Sequence, residues 1–480
     1  MITPIILSGG SGNRLWPISR QRDPKQFHKI NSTNTLFQQT ILRLDGVVGV
    51  RSPKIICNDE HRFIVDKQLN EIGKVASGIY LEQTPRNTLP ALSASILELR
   101  NHYQNELVLV LPADHVITDN AAFAKAIERA VPAAHDGRIV CFGVCPDRPE
   151  TGYGYLQRET DSDGKKFISD VHHVTNFKEK PDLKVANEYL ANGNYFWNSG
   201  IFLFKLDTFI EELRRQQPSV FFNCYQAVKQ STTDLNFIRL NDHHFCKSPS
   251  ISIDHGIMEN AECISMVELK AGWSDMGSWN GVWETLLKDD HGNVSQGDAH
   301  ITDSRDSCVY ATSRLVATMG LQNTVVVETK DAVLVMDKSR SQDVKHLVEN
   351  LGTLHREEVK QHSHENRPWG YFESLEKTAL CQIKRLVVNP GARLSLQRHQ
   401  HRSEHWVVLS GCAYVRNGND KLILKPSEST FIAAGELHQL ENRHNEPLEI
   451  IEVQTGSYFG EDDIERFEDD YGRTIVNHAA

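Results

Sequence analysis

An apolar run, Ile5-Ile6-Leu7, passes straight into Ser8-Gly9-Gly10-Ser11-Gly12-Asn13-Arg14-Leu15. No other stretch restricts the fold as much. Three β-compatible residues make a buried strand, and the chain must turn at its carboxyl end. Glycines there let backbone N–H groups approach a ligand where a side chain would clash. Converging N–H groups form an anion-binding concavity, and Arg14 and Lys25 add positive charge to it. The stretch reads as a cradle for a polyphosphate. A Walker loop is excluded, because Asn13 and Arg14 follow the last glycine where Lys and Ser/Thr are needed. A dinucleotide fingerprint is excluded as well, since Leu15 holds its third small position.

The surrounding pattern alternates. Residues 54–57 and 106–111 read as strands. Residues 89–100 and 123–133 have helical spacing, with Leu92, Ile96 and Leu99 on one face of the first. That order predicts an α/β, doubly wound (Rossmann-like), mostly parallel sheet, which binds ligands at the carboxyl ends of its strands. The apolar strand at 107–111 runs into Pro112-Ala113-Asp114-His115. A carboxylate at that point can hold Mg²⁺ beside phosphates, or simply form a turn. A second carboxylate, Asp275 in Trp273-Ser274-Asp275-Met276-Gly277, follows another apolar segment at 264–269.

Taken with Trp16-Pro17 and Pro24-Lys25-Gln26-Phe27, the loop resembles the signature of sugar-1-phosphate nucleotidyltransferases, in particular the mannose-1-phosphate guanylyltransferase branch. The resemblance implies that Gly9, Gly10, Gly12 and Arg14 hold nucleotide phosphates. It implies that Lys25 offsets charge during transfer, and that Asp114 and Asp275 hold Mg²⁺. Glu82-Gln83-Thr84-Pro85-Arg86-Asn87-Thr88 resembles the family loop on base and ribose, so Thr84, Arg86 and Asn87 are candidate nucleotide contacts; a structural turn is the alternative.

Three motifs suit a sugar phosphate: Thr151-Gly152-Tyr153-Gly154-Tyr155, Phe177-Lys178-Glu179-Lys180-Pro181 and Trp197-Asn198-Ser199-Gly200. Glycine permits close approach to a ring. Glu179 can accept from hydroxyls and Lys180 can neutralise a phosphate, although a lone Lys-Glu-Lys also suits an exposed turn. The family uses such motifs on the sugar, which implies roles for Gly154, Glu179, Lys180 and Asn198. Ser252-Ile253-Asp254 is a further acidic turn, either functional or structural.

From about residue 298 to 335, short β-branched pieces separated by polar turns resemble the family's small parallel β-helix. Residues 341–351 read as a connecting helix and 352–366 as a polar linker. The last third has short strands and regular turns, a jelly-roll signature. Gln397 and His399 share one face of a strand by their i, i+2 spacing, Glu404 returns from the neighbouring segment, and His438 from a distant strand. These donors suit zinc, iron, manganese or cobalt without selecting one. Together with Gly391, Gly411, Gly435 and Asn442 they match two cupin motifs, with Ala433 replacing a usual proline. Arg367-Pro368-Trp369-Gly370, His401-Arg402-Ser403-Glu404-His405-Trp406 and Gly460-Glu461-Asp462-Asp463-Ile464 resemble the cupin domain of type II phosphomannose isomerases. Arg402 and His405 are candidates for moving the proton, and Arg402 could equally hold the substrate phosphate.

The expected architecture is therefore a nucleotidyltransferase domain at 1–288, a β-helical connector with linking helix at 289–354, and an all-β cupin at 355–480. The expected activity joins GTP and mannose 1-phosphate, with Mg²⁺. A second, metal-dependent site, holding Zn²⁺, Co²⁺ or Mn²⁺, interconverts fructose 6-phosphate and mannose 6-phosphate. The alternative is a guanylyltransferase whose cupin only binds sugar or assembles copies, and a homo-oligomer is compatible with either. A net charge of −11 argues against nucleic acid or an anionic membrane as partner. Nine scattered cysteines without a CxxC pair, and no signal-peptide pattern at the start, predict reduced thiols in the cytoplasm.

Overall fold

The computed structural model describes residues 1–10, 12–159, 170–234, 236–468 and 470. Ser11 of the glycine loop lies outside them, as does Arg473, where the resemblance ends. The chain forms two compact units, Met1–Lys360 and Gln361–Ala480.

The first unit is built on an eleven-stranded sheet. Its centre is the strand Ile2–Ser8, parallel to Lys54–Asn58 on one side and Leu107–Pro112 on the other, with Gly78–Glu82 continuing the parallel run. Side chains alternate across the sheet, so Ile5 enters one core and Ile6 the other. Helices Leu36–Leu42, Arg62–Glu71 and Asn120–His135 cover the Ile6 face; Thr88–Arg100, Leu206–Gln216 and Pro218–Lys229 cover the Ile5 face. Burial of the Thr88–Arg100 helix extends beyond the expected Leu92, Ile96 and Leu99 stripe. Helix Pro218–Lys229 packs on its outer side, where Cys224 Sγ meets the Pro90 carbonyl at 3.4 Å.

The sheet is less parallel than the sequence suggests. The long strand Tyr195–Lys205 inserts antiparallel between Leu107–Pro112 and Ile139–Val144. It begins at the sheet's ligand edge, near Asn198, and ends with Lys205 opposite Leu107, the start of its neighbour. The central parallel strands all finish at one edge, which collects Gly9, Glu82 and Asp114.

In the connector, Val294–Gln296, Cys308–Ala311 and Thr324–Glu328 stack in parallel, as do Ala299–Thr302 and Val316–Met319. This is the expected β-helix. The linking helix is Val344–Thr353, entered through a 3₁₀ turn at Lys338–Asp343. The expected linker holds a 3₁₀ turn, Glu357–Val359, and the strand His364–Arg367.

The connector also braces the glycine loop. Leu15, Trp16, Met276 and Trp279 share one core with Tyr310, Val325, Val344 and Val348. Trp279 Nε1 donates to the Trp16 carbonyl at 2.9 Å, and Trp16 Nε1 to the Glu358 carbonyl at 3.0 Å. The buried Arg20 forms a fork on Asp331 at 2.6 and 2.7 Å. Each large apolar side chain uncovered costs about 1.5–3 kcal/mol. A chain cut after residue 288 is therefore expected to lose its cooperative thermal transition and its transfer activity. A chain cut after residue 360 is expected to keep both.

The second unit is an antiparallel jelly roll of six and five strands. Its core gathers Trp369, Leu386, Val388, Trp406, Val415, Leu440 and Ile450. Along Arg402–Ser410, Arg402, Glu404, Trp406 and Val408 point inward and are buried. His405 faces outward and is exposed, because strand neighbours alternate. The expectation that His405 moves the proton is thus corrected.

Candidate active sites

Lys25 organises the first site. It begins the 3₁₀ turn Lys25–Phe27 and is buried. Its Nζ lies 3.0 Å from Asp114 Oδ2 and donates to the Asp275 carbonyl at 2.7 Å. Three residues scattered over 250 positions thus meet at the carboxyl edge of the sheet. Burial works to raise the Asp114 carboxyl, but the Lys25 ammonium, its hydrogen bond and the neighbouring His115 together hold the group below the usual carboxylate range. Burial lowers the His115 imidazole, whose Nδ1 accepts from Trp273 Nε1 at 3.2 Å. Asp275 Oδ1 accepts from the Tyr153 hydroxyl at 2.6 Å and from the Gly277 N–H at 2.9 Å. Lys25 arrives through a close approach: a Cβ on Gly12 would stand 2.9 Å from Lys25 Cγ, and Gly12 has φ +57°. Lys25 thus bridges the Asp114 carboxylate and the backbone of Asp275, while the Asp275 carboxylate is held by Tyr153 and Gly277.

Other expected nucleotide residues lie around this centre. Gly9 and Gly10 leave the strand Ile2–Ser8 at the edge that carries Asp114. Arg14 leans on the connector instead, donating to Gln342 Oε1 at 3.0 Å. Thr84, Arg86 and Asn87 follow the strand Gly78–Glu82 directly. Asn87, at φ +65°, caps the next helix by accepting from the Thr88 N–H.

Glu82 opens the loop motif named from the sequence but was given no role there. It is buried, and its Oε2 lies 3.9 Å from where a Cβ on Gly9 would sit. Burial pushes its carboxyl up to about 7, against a hydrogen bond from the Arg86 backbone. The legible signal was a charged residue closing an apolar strand just before a ligand loop. Between pH 4.5 and 7 the folded state binds the extra proton, so stability falls as pH rises through that window and is flat above it. Glu82→Gln is therefore expected to stabilise the protein by about 3 kcal/mol at pH 8 and by little at pH 4.5, read from denaturant midpoints.

The four expected sugar-phosphate residues come together. The Asn198 N–H donates to the Gly154 carbonyl at 2.8 Å, and a Cβ on Gly154 would meet Glu179 Oε2 at 2.5 Å. Lys180 Nζ lies 2.5 Å from Glu179 Oε1. Asn198 Nδ2 donates to Asp254 Oδ1 at 2.9 Å, which brings the acidic turn into the same group. Burial, with the Glu179 charge, pushes Asp254 up to about 6. Tyr153 packs edge-on against Trp197 and Trp273, and its hydroxyl links this group to Asp275.

The second site lies inside the jelly roll. His399 Nε2 is 3.1 Å from Glu404 Oε1, and His438 Nε2 is 3.6 Å from Glu404 Oε2. The three donor atoms lie within 4.8 Å of one another, and all three residues are buried. Gln397 is the strand partner of His438, and its amide is 3.4 Å from His399 Nε2. Among the described residues His438 Nε2 has no hydrogen-bond partner, an orphaned lone pair that fits a metal. Burial opposes ionisation of Glu404, but the His399 hydrogen bond and nearby positive groups hold it well below its usual range. Burial lowers the His438 imidazole, which keeps its ligating form.

Arg402 lies behind this cluster. Its Nη1 donates to the Gly460 carbonyl at 3.1 Å, and its Nε is 3.6 Å from Glu404. Asn442 is structural: its amide donates to the carbonyls of Val388 and Glu446. With Ala433 in place of proline, the turn closes through the Gly435 N–H on the His399 carbonyl at 2.6 Å. The sequence reading missed Glu452 and Gln454, which lie opposite Trp406 and Glu404 across the strand pair. Gln454 Nε2 donates to Glu404 Oε1 at 2.9 Å, and Trp406 Nε1 to Glu404 Oε2 and Glu452 Oε1 at 3.1 Å each. Burial and the Glu404 charge push Glu452 up to about 8. Their i, i+2 spacing was the available clue.

Known proteins resemble the whole chain. Residues 3–291 match the Nucleotidyl transferase family, 298–351 the MannoseP isomerase/GMP-like beta-helix domain, and 354–469 the Mannose-6-phosphate isomerase C-terminal family. The alginate biosynthesis protein AlgA of Pseudomonas aeruginosa is 45% identical over 98% of this chain and 97% of its own. A mannose-1-phosphate guanylyltransferase of Escherichia coli is 44% identical over 98% of each chain. A crystal structure described as mannose-1-phosphate geranyltransferase from Thermus thermophilus is 30% identical, with a TM-score of 0.64 over 73% of this chain and 99% of that one.

Proposed function

Because the chain belongs to the family that joins a mannose-1-phosphate guanylyltransferase to a mannose-6-phosphate isomerase domain, we propose two reactions on one polypeptide. The first transfers GMP from GTP to mannose 1-phosphate, giving GDP-mannose and pyrophosphate. The second interconverts fructose 6-phosphate and mannose 6-phosphate. The observation that carries the first is the meeting of Lys25, Asp114 and Asp275 at one sheet edge.

The backbone at Gly9, Gly10 and Gly12 receives the triphosphate, with Arg14 at its outer side. Thr84, Arg86 and Asn87 flank base and ribose. Glu82 offers the acceptors that the N1–H and amino group of guanine require. Gly154, Glu179, Lys180 and Asn198 hold mannose 1-phosphate. Its phosphate oxygen attacks the α-phosphorus, and the bond to pyrophosphate breaks. Lys25 offsets the charge that develops. Asp114 and Asp275 would hold Mg²⁺, which supplies further charge neutralisation when bound. Positioning carries most of the rate.

In the jelly roll, Gln397, His399, Glu404 and His438 would hold a divalent ion such as Zn²⁺, Co²⁺ or Mn²⁺, which supplies Lewis acidity toward a sugar oxygen. Arg402 holds Glu404 in place. No helix among the described residues is long and apolar enough to cross a membrane. Nine free thiols and nucleotide triphosphate chemistry support a cytoplasmic setting. Product analysis by ³¹P NMR tests the reading. GTP with mannose 1-phosphate should yield GDP-mannose, and fructose 6-phosphate should yield mannose 6-phosphate. A preference for dTTP over GTP would overturn the first assignment.

A further inference from the structure

The cavity beside the buried His399–Glu404–His438 cluster has a second, cationic wall. Arg367, Lys384 and Arg466 line it, each from a different strand. Glu461 reaches in among them. Its Oε1 is 3.4 Å from Arg367 Nη2, and its Oε2 is 3.3 Å from Arg466 Nη2. The protein packed on its inner side opposes its ionisation, yet the charges of Arg367, Lys384 and Arg466 together hold its carboxyl below the usual range. Arg367 also pairs with Glu365 at 2.8 Å. Arg402, the other cation of the cavity, is tied to Gly460 and Glu404.

Both contacts of Glu461 are long for charge-assisted hydrogen bonds, which close to about 2.7–2.9 Å. Its side chain is 55% exposed and stands on the short 3₁₀ turn Glu461–Asp463, so it can leave by rotation alone. A carboxylate brings two oxygens and one charge to this wall. A phosphate monoester brings three terminal oxygens and about two charges at neutral pH. It can meet both guanidinium groups and leave an oxygen for the Lys384 ammonium.

We propose that Arg367, Lys384 and Arg466 seat the phosphate of a hexose phosphate, and that Glu461 fills this seat when no substrate is bound. The inference rests on the isomerase reading and adds to it where the phosphate lies and which group competes for the place. Glu461 is then an internal competitor that sets the apparent affinity for phosphate esters.

The test uses the full chain, with divalent metal present and GTP saturating the glycine loop. Inorganic phosphate is titrated by calorimetry, and the KM for fructose 6-phosphate is measured alongside. Glu461→Gln should tighten phosphate binding about tenfold and lower KM. Lys384→Met should weaken binding about tenfold or more and raise KM. A gain of affinity in Glu461→Gln cannot come from misfolding. Unchanged or weaker binding in Glu461→Gln, or unchanged binding in Lys384→Met, would overturn the proposal. If neither variant nor wild type isomerises the sugar while phosphate binding shifts as stated, the seat stands and the isomerase reading falls.

Discussion

Lys25→Met is expected to cut guanylyl transfer by about 10²–10³-fold and to leave isomerisation unchanged. The magnitude is that of removing one preorganised stabiliser of developing transition-state charge. Methionine keeps the stem that packs against Gly12 and removes only the ammonium. Asp114 then loses the partner 3.0 Å away that keeps it ionised, so its carboxyl should titrate higher. The acidic limb of the transfer profile should move to higher pH in the variant. Lys25→Arg should not restore the rate, because the planar fork cannot reach both Asp114 and the Asp275 carbonyl from a buried position. An unchanged thermal midpoint alongside the lost rate would assign the effect to chemistry.

The second large effect belongs to the other site. His438→Ala, or removal of divalent metal by a chelator, should lower isomerisation by at least about 10²-fold while transfer with added Mg²⁺ persists. Lewis-acid stabilisation contributes several kcal/mol, and each 1.36 kcal/mol is about tenfold. His438 supplies a buried nitrogen without a hydrogen-bond partner among the described residues, so its loss leaves His399 and Glu404 without a third strong donor. Metal content per chain should fall with the rate. Asn442→Ala should instead lower stability without changing metal content, since its amide holds only backbone carbonyls.

Much of this was legible before the fold was known. The glycine loop, Asp114, Asp275 and the four cupin donors each sit in a local pattern whose chemistry can be named. The alternation of strand-like and helix-like segments already implied a sheet covered on both faces. What stayed hidden depends on partners far apart in the chain. The antiparallel strand Tyr195–Lys205 reads like its parallel neighbours, because burial on both faces erases the sign of direction. Arg14 was read as a phosphate ligand by position, and the fold adds a contact the sequence did not show, its hydrogen bond to Gln342. His405 and Glu404 are adjacent in sequence and so occupy opposite faces of their strand, and the fold shows that Glu404 is the one facing inward. Glu82 was passed over within its loop motif and Glu452 belonged to none; burial, joined at Glu452 by the Glu404 charge, gives them their raised titration.

The claim on which the rest depends is that one triphosphate site joins the Gly9–Gly12 backbone, Lys25, Asp114 and Asp275. Anomalous diffraction from crystals of the full chain grown with GTP and Mn²⁺ measures it directly. A manganese peak touching both carboxylates and the nucleotide phosphates is expected. Nucleotide bound over the glycine loop with manganese held away from Asp114 and Asp275 would contradict it.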